Sequence, residues 1–379
     1  MKILLSIHHP ISIEGGAPGV TRKLAQEFSL QGHDVRVLSF DDMPRRFHGK
    51  LAQVVFPWFV ADHVRRTHYD VMDLSSGDGW RLKPGNFSQS LIVFRSHGLE
   101  HVSAEQRREA ALQNEIQLSW KYPLYHGGWR LREVAQSMRN AELSLFLNKK
   151  DHDFAIARLS AVPSRCEIVP NGLPSSFLHL PLSDEPVAGT PLRIAMVGGY
   201  LQRKGFSYAL EAFRRLLARH SLLEVGFFGI GQGNAALIEK ELGNAGLGRV
   251  NYVENYNHED LPKLLGGYHV LLFPSLSEGF AMAPLESMAC GLALITTSVG
   301  GLPEQLRSGH EAIIIPPANT VAIEHSLETL FNDRSLLQRL RKAGQVSAQK
   351  FSWESIASDQ LALYAEHLEK KCLFTAGCN

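Results

Sequence analysis

Cysteine is sparse in this chain and unpatterned. Cys166, Cys290, Cys372 and Cys378 are the four in 379 residues, and no C-x-x-C pair occurs, which argues against a disulfide framework and for reduced thiols in a cytosolic protein. Long apolar runs are missing too. No stretch approaches ~18 apolar residues, and the opening Ile3-Leu4-Leu5-Ser6-Ile7 is far too short for the core of a signal peptide. The expected location is cytoplasmic, at most peripheral to the inner face of a membrane. Charge of one sign is lacking as well: 39 Lys+Arg face 38 Asp+Glu for a formal net charge of +1. Such a balance supplies no field to recruit nucleic acid, and no nucleic-acid partner is expected.

What remains is an ordinary globular composition, 44% hydrophobic and 20% charged, in a length suited to two domains. Apolar strand patterns alternate with amphipathic helical ones through both halves, which predicts α/β architecture with two doubly wound parallel sheets. No strong repeat links the halves. Pro174 to Pro191, rich in Pro and Ser with an Asp and a Gly among them, reads as the linker between them. The expected division is residues 1–175 for the first domain and 176–354 for the second, with 176–191 as the connection.

In an open parallel sheet, ligands bind at the carboxyl ends of the strands, so the loops that follow predicted strands carry the candidates. After Lys2 to His8 comes a Gly15-Gly16 turn and a helix with Val20, Leu24 and Phe28 on one face; backbone N–H groups and a helix start there suit a phosphate. This loop is neither a G-x-G-x-x-G fingerprint nor a P-loop. Asp78, in the turn after Tyr69 to Leu74, reads as a polar turn acid or a contact to an acceptor. His97 follows the strand Leu91 to Arg95. Residues 103–140 interleave aromatics with bases, including Trp120-Lys121-Tyr122 and Trp129-Arg130-Leu131-Arg132; an amphipathic helical insertion with solvated arginines, or a surface for a lipid headgroup, glycan or partner, fits that texture. In the second half, Arg203-Lys204 after the strand Leu192 to Val197 places two cations where a departing diphosphate would be stabilised. Gly229, at the end of Leu222 to Phe228, offers backbone to the edge of a nucleotide base.

The stretch most dense in signals is Ser275 to Glu286. It lies between the apolar runs Tyr268 to Phe273 and Gly291 to Thr296, so Glu278 falls on a loop at a strand's carboxyl end. Pro284, confined to a helix's first turn, puts Glu286 early on the helix that follows. Two carboxylates so placed could run glycoside hydrolysis, or accept hydrogen bonds from the hydroxyls of a sugar and a ribose. No His or Cys stands at ligand spacing beside them, so no metal is expected.

The frame Ser-Glu-Gly-Phe-x-x-x-x-x-Glu from Ser277 to Glu286, followed by Ala289-Cys290-Gly291 and Gly300-Gly301-Leu302-Pro303-Glu304, resembles the E-x7-E signature of the retaining glycosyltransferases of family four, which have the GT-B fold. Ser96-His97-Gly98, Pro170-Asn171-Gly172 and Lys204-Gly205 are similar to further segments of that family. The resemblance implies two Rossmann-like domains facing across a cleft, an acceptor on the N-terminal side, a closing helix (about 355–379) returned to the first domain, and a nucleotide-diphosphate sugar as donor with no cofactor required. It implies that Glu286 binds the ribose, Glu278 a sugar hydroxyl, Lys204 and Arg203 the diphosphate, and that His97, Gly15 and Gly16 approach from the other domain. Gly279, Phe280, Ala281, Gly199 and Gly229 complete the donor-binding set. Gly199 stands where the family usually has Arg, which leaves Arg203 as the candidate replacement. The acceptor is expected to be a glycan, a lipid-linked group or a small molecule. A nucleotide-sugar-binding protein without turnover and a GT-B sugar-nucleotide epimerase are the alternatives.

Overall fold

All strands among the described residues run parallel, in two sheets that do not share a strand. The computed structural model describes residues 1–11, 16–112, 116–182, 186–187 and 189–376, and the chain divides into two compact units, Met1–Asn171 with Trp353–Asn379, and Gly172–Ser352.

The first unit contains β1 (Lys2–Ser6), β2 (Asp34–Leu38), β3 (Val71–Ser75), β4 (Leu91–Arg95), β5 (Leu143–Phe146) and β6 (Cys166–Ile168), in the order β2-β1-β3-β4-β5-β6. The central strands β3 and β4 are buried throughout, as expected where helices cover both faces of a parallel sheet, while the edge strand β2 alternates with solvent. One face is packed by the helix Gly16–Leu30 through Val20, Leu24 and Phe28, and by the closing helix Trp353–Ala376 through Trp353, Ile356, Leu361 and Tyr364. The opposite face takes the helices Ala52–Arg66 and Arg130–Asn140. Because the chain leaves β1 to one side for β2 and then crosses to β3 on the other, the sheet reverses its winding between β1 and β3.

The described residues of 103–140 include the end of the helix Glu100–Leu112, a π-helical turn at Tyr125–Trp129 and the helix Arg130–Asn140. The expectation of solvated arginines fails at Arg130, which is 7% exposed. Its guanidinium lies 3.4 Å from Glu133, 3.6 Å from Glu100 and 3.3 Å from the ring of His8. The helix sits so close to the turn after β3 that a Cβ on Gly77 would come within 2.7 Å of Arg130. That approach desolvates the cation, and buried charge requires partners.

The second unit contains β7 (Leu192–Val197), β8 (Leu223–Phe228), β9 (Val250–Val253), β10 (Val270–Phe273), β11 (Ala293–Thr297) and β12 (Ala312–Ile315), in the order β12-β11-β10-β7-β8-β9. This is the doubly wound order in which two βαβαβ halves meet at their first strands, here β7 and β10. The helix Phe206–Arg219 buries Phe206, Leu210, Phe213 and Leu217 against β7 and β8, a stripe repeating every three to four residues as an amphipathic helix requires. Phe177, at the start of the expected linker, is fully buried.

Candidate active site

The loops after β7 and β10 leave the sheet where its winding reverses, the position at which open α/β sheets form a ligand crevice. In this chain the two loops are locked together. Gly205 has φ +72°, and a Cβ there would lie 2.0 Å from the carbonyl oxygen of Pro274; only glycine permits both the left-handed backbone and that approach. The N–H of Leu276 donates to the carbonyl of Arg203 at 2.8 Å. From the end of β11, the hydroxyl of Thr297 donates to the carbonyl of Ser275 at 2.6 Å. Three strand ends therefore hold one loop.

Glu278 is the centre of this arrangement. Its Oε1 accepts from Lys204 Nζ at 2.7 Å, from Ser275 Oγ at 2.8 Å and from Arg203 Nη1 at 3.1 Å. The carboxylate and the ammonium are mostly covered, with side chains 10% and 16% exposed, whereas the Arg203 side chain is 52% exposed. Burial pushes the Lys204 pKa down, and the neighbouring Glu278 opposes that shift. The ammonium also lies 4.6 Å from the centre of the Phe273 ring. From the far side, Gly300 (φ +85°) lets the chain pass beside Glu278, since a Cβ there would come within 3.0 Å of the glutamate Cβ, and the N–H of Gly301 donates to the carbonyl of Gly279 at 2.8 Å. The Gly-Gly pair after β11 thus supports the Glu278 loop from behind. Phe280 is 7% exposed, and Ala281 is the extended residue that precedes the helix Met282–Ala289.

Glu286 stands on that helix, two residues beyond Pro284 in its first turn, and is buried. Its Oε1 lies 2.8 Å from Nε2 of His258, whose ring is 5.4 Å from that of Phe177. Burial, with the Glu286 charge adding to it, pushes the Tyr256 phenol up to about 12. The Tyr256 ring closes on the end of β8, where a Cβ on Gly229 would be 2.8 Å from it. Glu278 and Glu286 thus share one sheet edge but keep separate partners. Tyr256 and His258 belong to no motif in the sequence; the signal it offers for them is the polar, aromatic run Glu254 to His258 directly after a strand. Gly199 has ordinary backbone geometry, and a Cβ there would touch only the Leu201 side chain, at 3.8 Å.

The remaining candidates lie in the first unit. Nε2 of His97 is 3.0 Å from the Ser75 hydroxyl, and burial, then the charges of Arg95, His8 and His9, hold its pKa well below the usual value, so the imidazole is neutral at pH 7. Gly16 opens its helix at φ +63° and is exposed; Gly15 lies outside the described residues. Asp78 does lie in a turn, Ser76–Gly79, but away from solvent. It is fully buried, accepts from the Ser6 hydroxyl at 2.7 Å and faces Nδ1 of His8 at 3.3 Å. Among the described residues no group of three His, Cys, Asp or Glu side chains is placed to hold a metal ion, and no helix is long and apolar enough to cross a membrane.

Comparison with known proteins bears on both units. Over its whole length the chain is similar in structure to sucrose-phosphate synthase from Thermosynechococcus elongatus, with a TM-score of 0.74 at 19% identity, covering 99% of this chain and 100% of that one. The Anabaena HepE structure in complex with UDP-glucose gives a TM-score of 0.67 at 14% identity, covering 98% and 100%. These likenesses establish the GT-B fold class. In sequence, 97 residues, 26% of this chain and 21% of the relative, are 37% identical to a D-inositol 3-phosphate glycosyltransferase of Streptomyces bingchenggensis. The chain spans 21%, 47% and 42% of the lengths of three curated relatives that it matches. Residues 183–347, the span that carries Lys204, Glu278 and Glu286, match the model of the family glycosyl transferases group 1.

Proposed function

We propose that the chain is a glycosyltransferase that moves a sugar from a nucleotide-diphosphate sugar to an acceptor with retention at the anomeric carbon. The observation that carries this reading is the convergence of Lys204 and Arg203 on Glu278 where the β7 and β10 loops meet. A carboxylate held there accepts from a sugar hydroxyl. Two adjacent cations stabilise the charge that gathers on a departing diphosphate, and they are fixed before the reaction begins. Donor phosphate oxygens then take up the Lys204 and Arg203 N–H groups that Glu278 shares in the free protein. Glu286, with Tyr256 and Gly229 nearby, supplies an acceptor for ribose hydroxyls. The family match over residues 183–347, and the UDP-glucose bound to a protein of the same fold, support a nucleotide sugar as donor. Retention follows from the family resemblance and needs no protein nucleophile when the acceptor attacks the face that the leaving group vacates.

The test begins with thermal shift against UDP, GDP and ADP and their sugars, since a ligand at 100 times its dissociation constant stabilises by ~2.7 kcal/mol. With the donor so identified, Lys204→Ala and Glu278→Gln lower transfer by ~10² to 10³, in proteins that circular dichroism shows to be folded at the assay temperature. The anomeric configuration of the product, read by NMR, tests retention. Nucleotide binding without turnover across a panel of acceptors refutes the enzyme reading.

A further inference from the structure

The outer face of the helix Arg130–Asn140 borders a cavity of about 560 Å³ within the first unit, lined among others by Trp80, His101, Trp129, Arg132, Gln136 and Arg139. This lies within the ~300–1,000 Å³ typical of small-molecule sites. Among the described residues neither Trp80 Nε1 nor His101 Nδ1, both buried atoms, has a hydrogen-bond partner, although buried polar groups are ordinarily satisfied. Trp129 is held in place by its indole N–H, which donates to Glu133 at 2.9 Å, yet the residue remains 46% exposed. The Trp80 and Trp129 rings meet edge to face, 6.0 Å apart at 86°. Arg132 and Arg139 stand seven positions apart and so share one face of the helix, about 10 Å from each other along its axis. Among the described residues neither is paired with a carboxylate; Arg139 reaches only Gln136, at 3.4 Å.

We propose that this cavity binds an acidic oligosaccharide, with its rings against the tryptophan corner and its anionic groups on Arg132 and Arg139. Two perpendicular indoles present apolar faces to the C–H faces of sugar rings, and an amphipathic ring suits a ligand that is half apolar and half polar. Hydroxyls satisfy the Trp80 N–H and His101 Nδ1, while the Gln136 amide already donates to Asn140 at 2.8 Å. Each guanidinium takes a carboxylate or phosphate as a fork of two N–H donors, a geometry a neutral sugar cannot use. The proposal rests on the glycosyl-transfer reading only in making the bound chain the acceptor; the binding itself does not depend on it.

Trigalacturonate, a trianion, and maltotriose, a neutral sugar of the same length, serve as probes in calorimetric titrations of the full chain at low and at raised salt. Trigalacturonate is expected to bind at least tenfold more tightly than maltotriose at low salt, with the preference shrinking as salt rises. The Arg132→Ala/Arg139→Ala double variant, altered only at exposed positions, brings trigalacturonate down to the level of maltotriose, and Trp129→Ala weakens both. Absence of binding by either sugar, a preference for maltotriose, or a double variant that binds trigalacturonate like the wild type overturns the proposal. Thermal shift with nucleotides on the same samples reads the donor site separately, so failure here and failure of the glycosyl-transfer reading are told apart.

Discussion

Under the proposed function, Lys204 is the side chain poised to take the donor's phosphate oxygens. Its ammonium is mostly covered; burial lowers its pKa, and the Glu278 carboxylate opposes that shift. A buried cation with one close acid partner readily exchanges that partner for phosphate oxygens, whereas a fully solvated lysine would have to be ordered first. The same reasoning from burial gives a pH prediction at His269, just before β10. Its Nδ1 accepts the N–H of Arg193 at 3.0 Å, which requires an unprotonated nitrogen. Burial, followed by the charges of Arg341, Arg334 and Arg193, lowers its pKa from 6.5 to about 4. The folded state therefore binds fewer protons than the unfolded one between those values. The stability contributed by the neutral ring is complete above pH 6.5 and is lost progressively as the pH falls towards 4. His269→Asn retains an acceptor for Arg193 and removes the titration. Urea midpoints at pH 7.5 and pH 5 are expected to differ less in that variant than in the wild type; an equal difference would show that His269 does not titrate in this window.

At the scale of loops and strands, two glycines six positions apart have opposite duties. Gly205→Ala forces a Cβ into the Pro274 carbonyl at φ +72° and should cost at least ~2 kcal/mol, from backbone strain and from separating the loops that bring Lys204 to Glu278. Gly199→Ala meets only ordinary van der Waals contact with the Leu201 side chain, at 3.8 Å and without a positive φ, and should be neutral or stabilising by up to ~1 kcal/mol, because it restricts the unfolded chain. Thermal denaturation of the two variants checks both signs at once, and a stable Gly205→Ala protein would mean that the loops are not held by that contact. These positions also mark what was legible in the sequence. Glu278, Glu286 and Lys204 could be found because each follows a recognisable strand, and strand ends in a parallel sheet share one edge. Pro284 set Glu286 on its helix without any tertiary knowledge. Tyr256 and His258 follow a strand too, but β9 is short and half-buried, and the role of its loop comes from packing against Gly229 and Glu286. Asp78 and Arg130, 52 positions apart in sequence, are buried because a helix closes over a turn, a contact that periodicity does not encode.

The chain as a whole is threaded unequally between its two units. Gly172–Ser352 is one continuous segment containing all six strands of its sheet and the Lys204, Glu278 and Glu286 loops. The first unit is broken by that segment, and its closing helix supplies part of the core: Trp353, Ile356, Leu361 and Tyr364 pack with Ile3, Leu5, Val71 and Val93. Arg95, buried beneath this helix, is held by Asp73 at 3.0 Å, Gln360 at 2.6 Å and Tyr364 at 3.1 Å. A fragment of residues 1–171 therefore exposes the part of one sheet face that the closing helix covers and strips Arg95 of two partners, and removing partners from a buried charge is strongly destabilising. It should fail to unfold cooperatively. Restoring residues 353–379 should rescue it, and a short Gly-Ser linker is enough to do so, because Leu173 bridges to Ser352 and its N–H bonds the Phe351 carbonyl, which brings the two chain ends together. The 172–352 fragment, by contrast, should fold alone and keep whatever nucleotide-dependent thermal shift the full chain shows. Circular dichroism melts of the three proteins decide the matter: a cooperative transition in 1–171 alone, or none in 172–352, would mean that each unit's stability is not set by the core assigned to it.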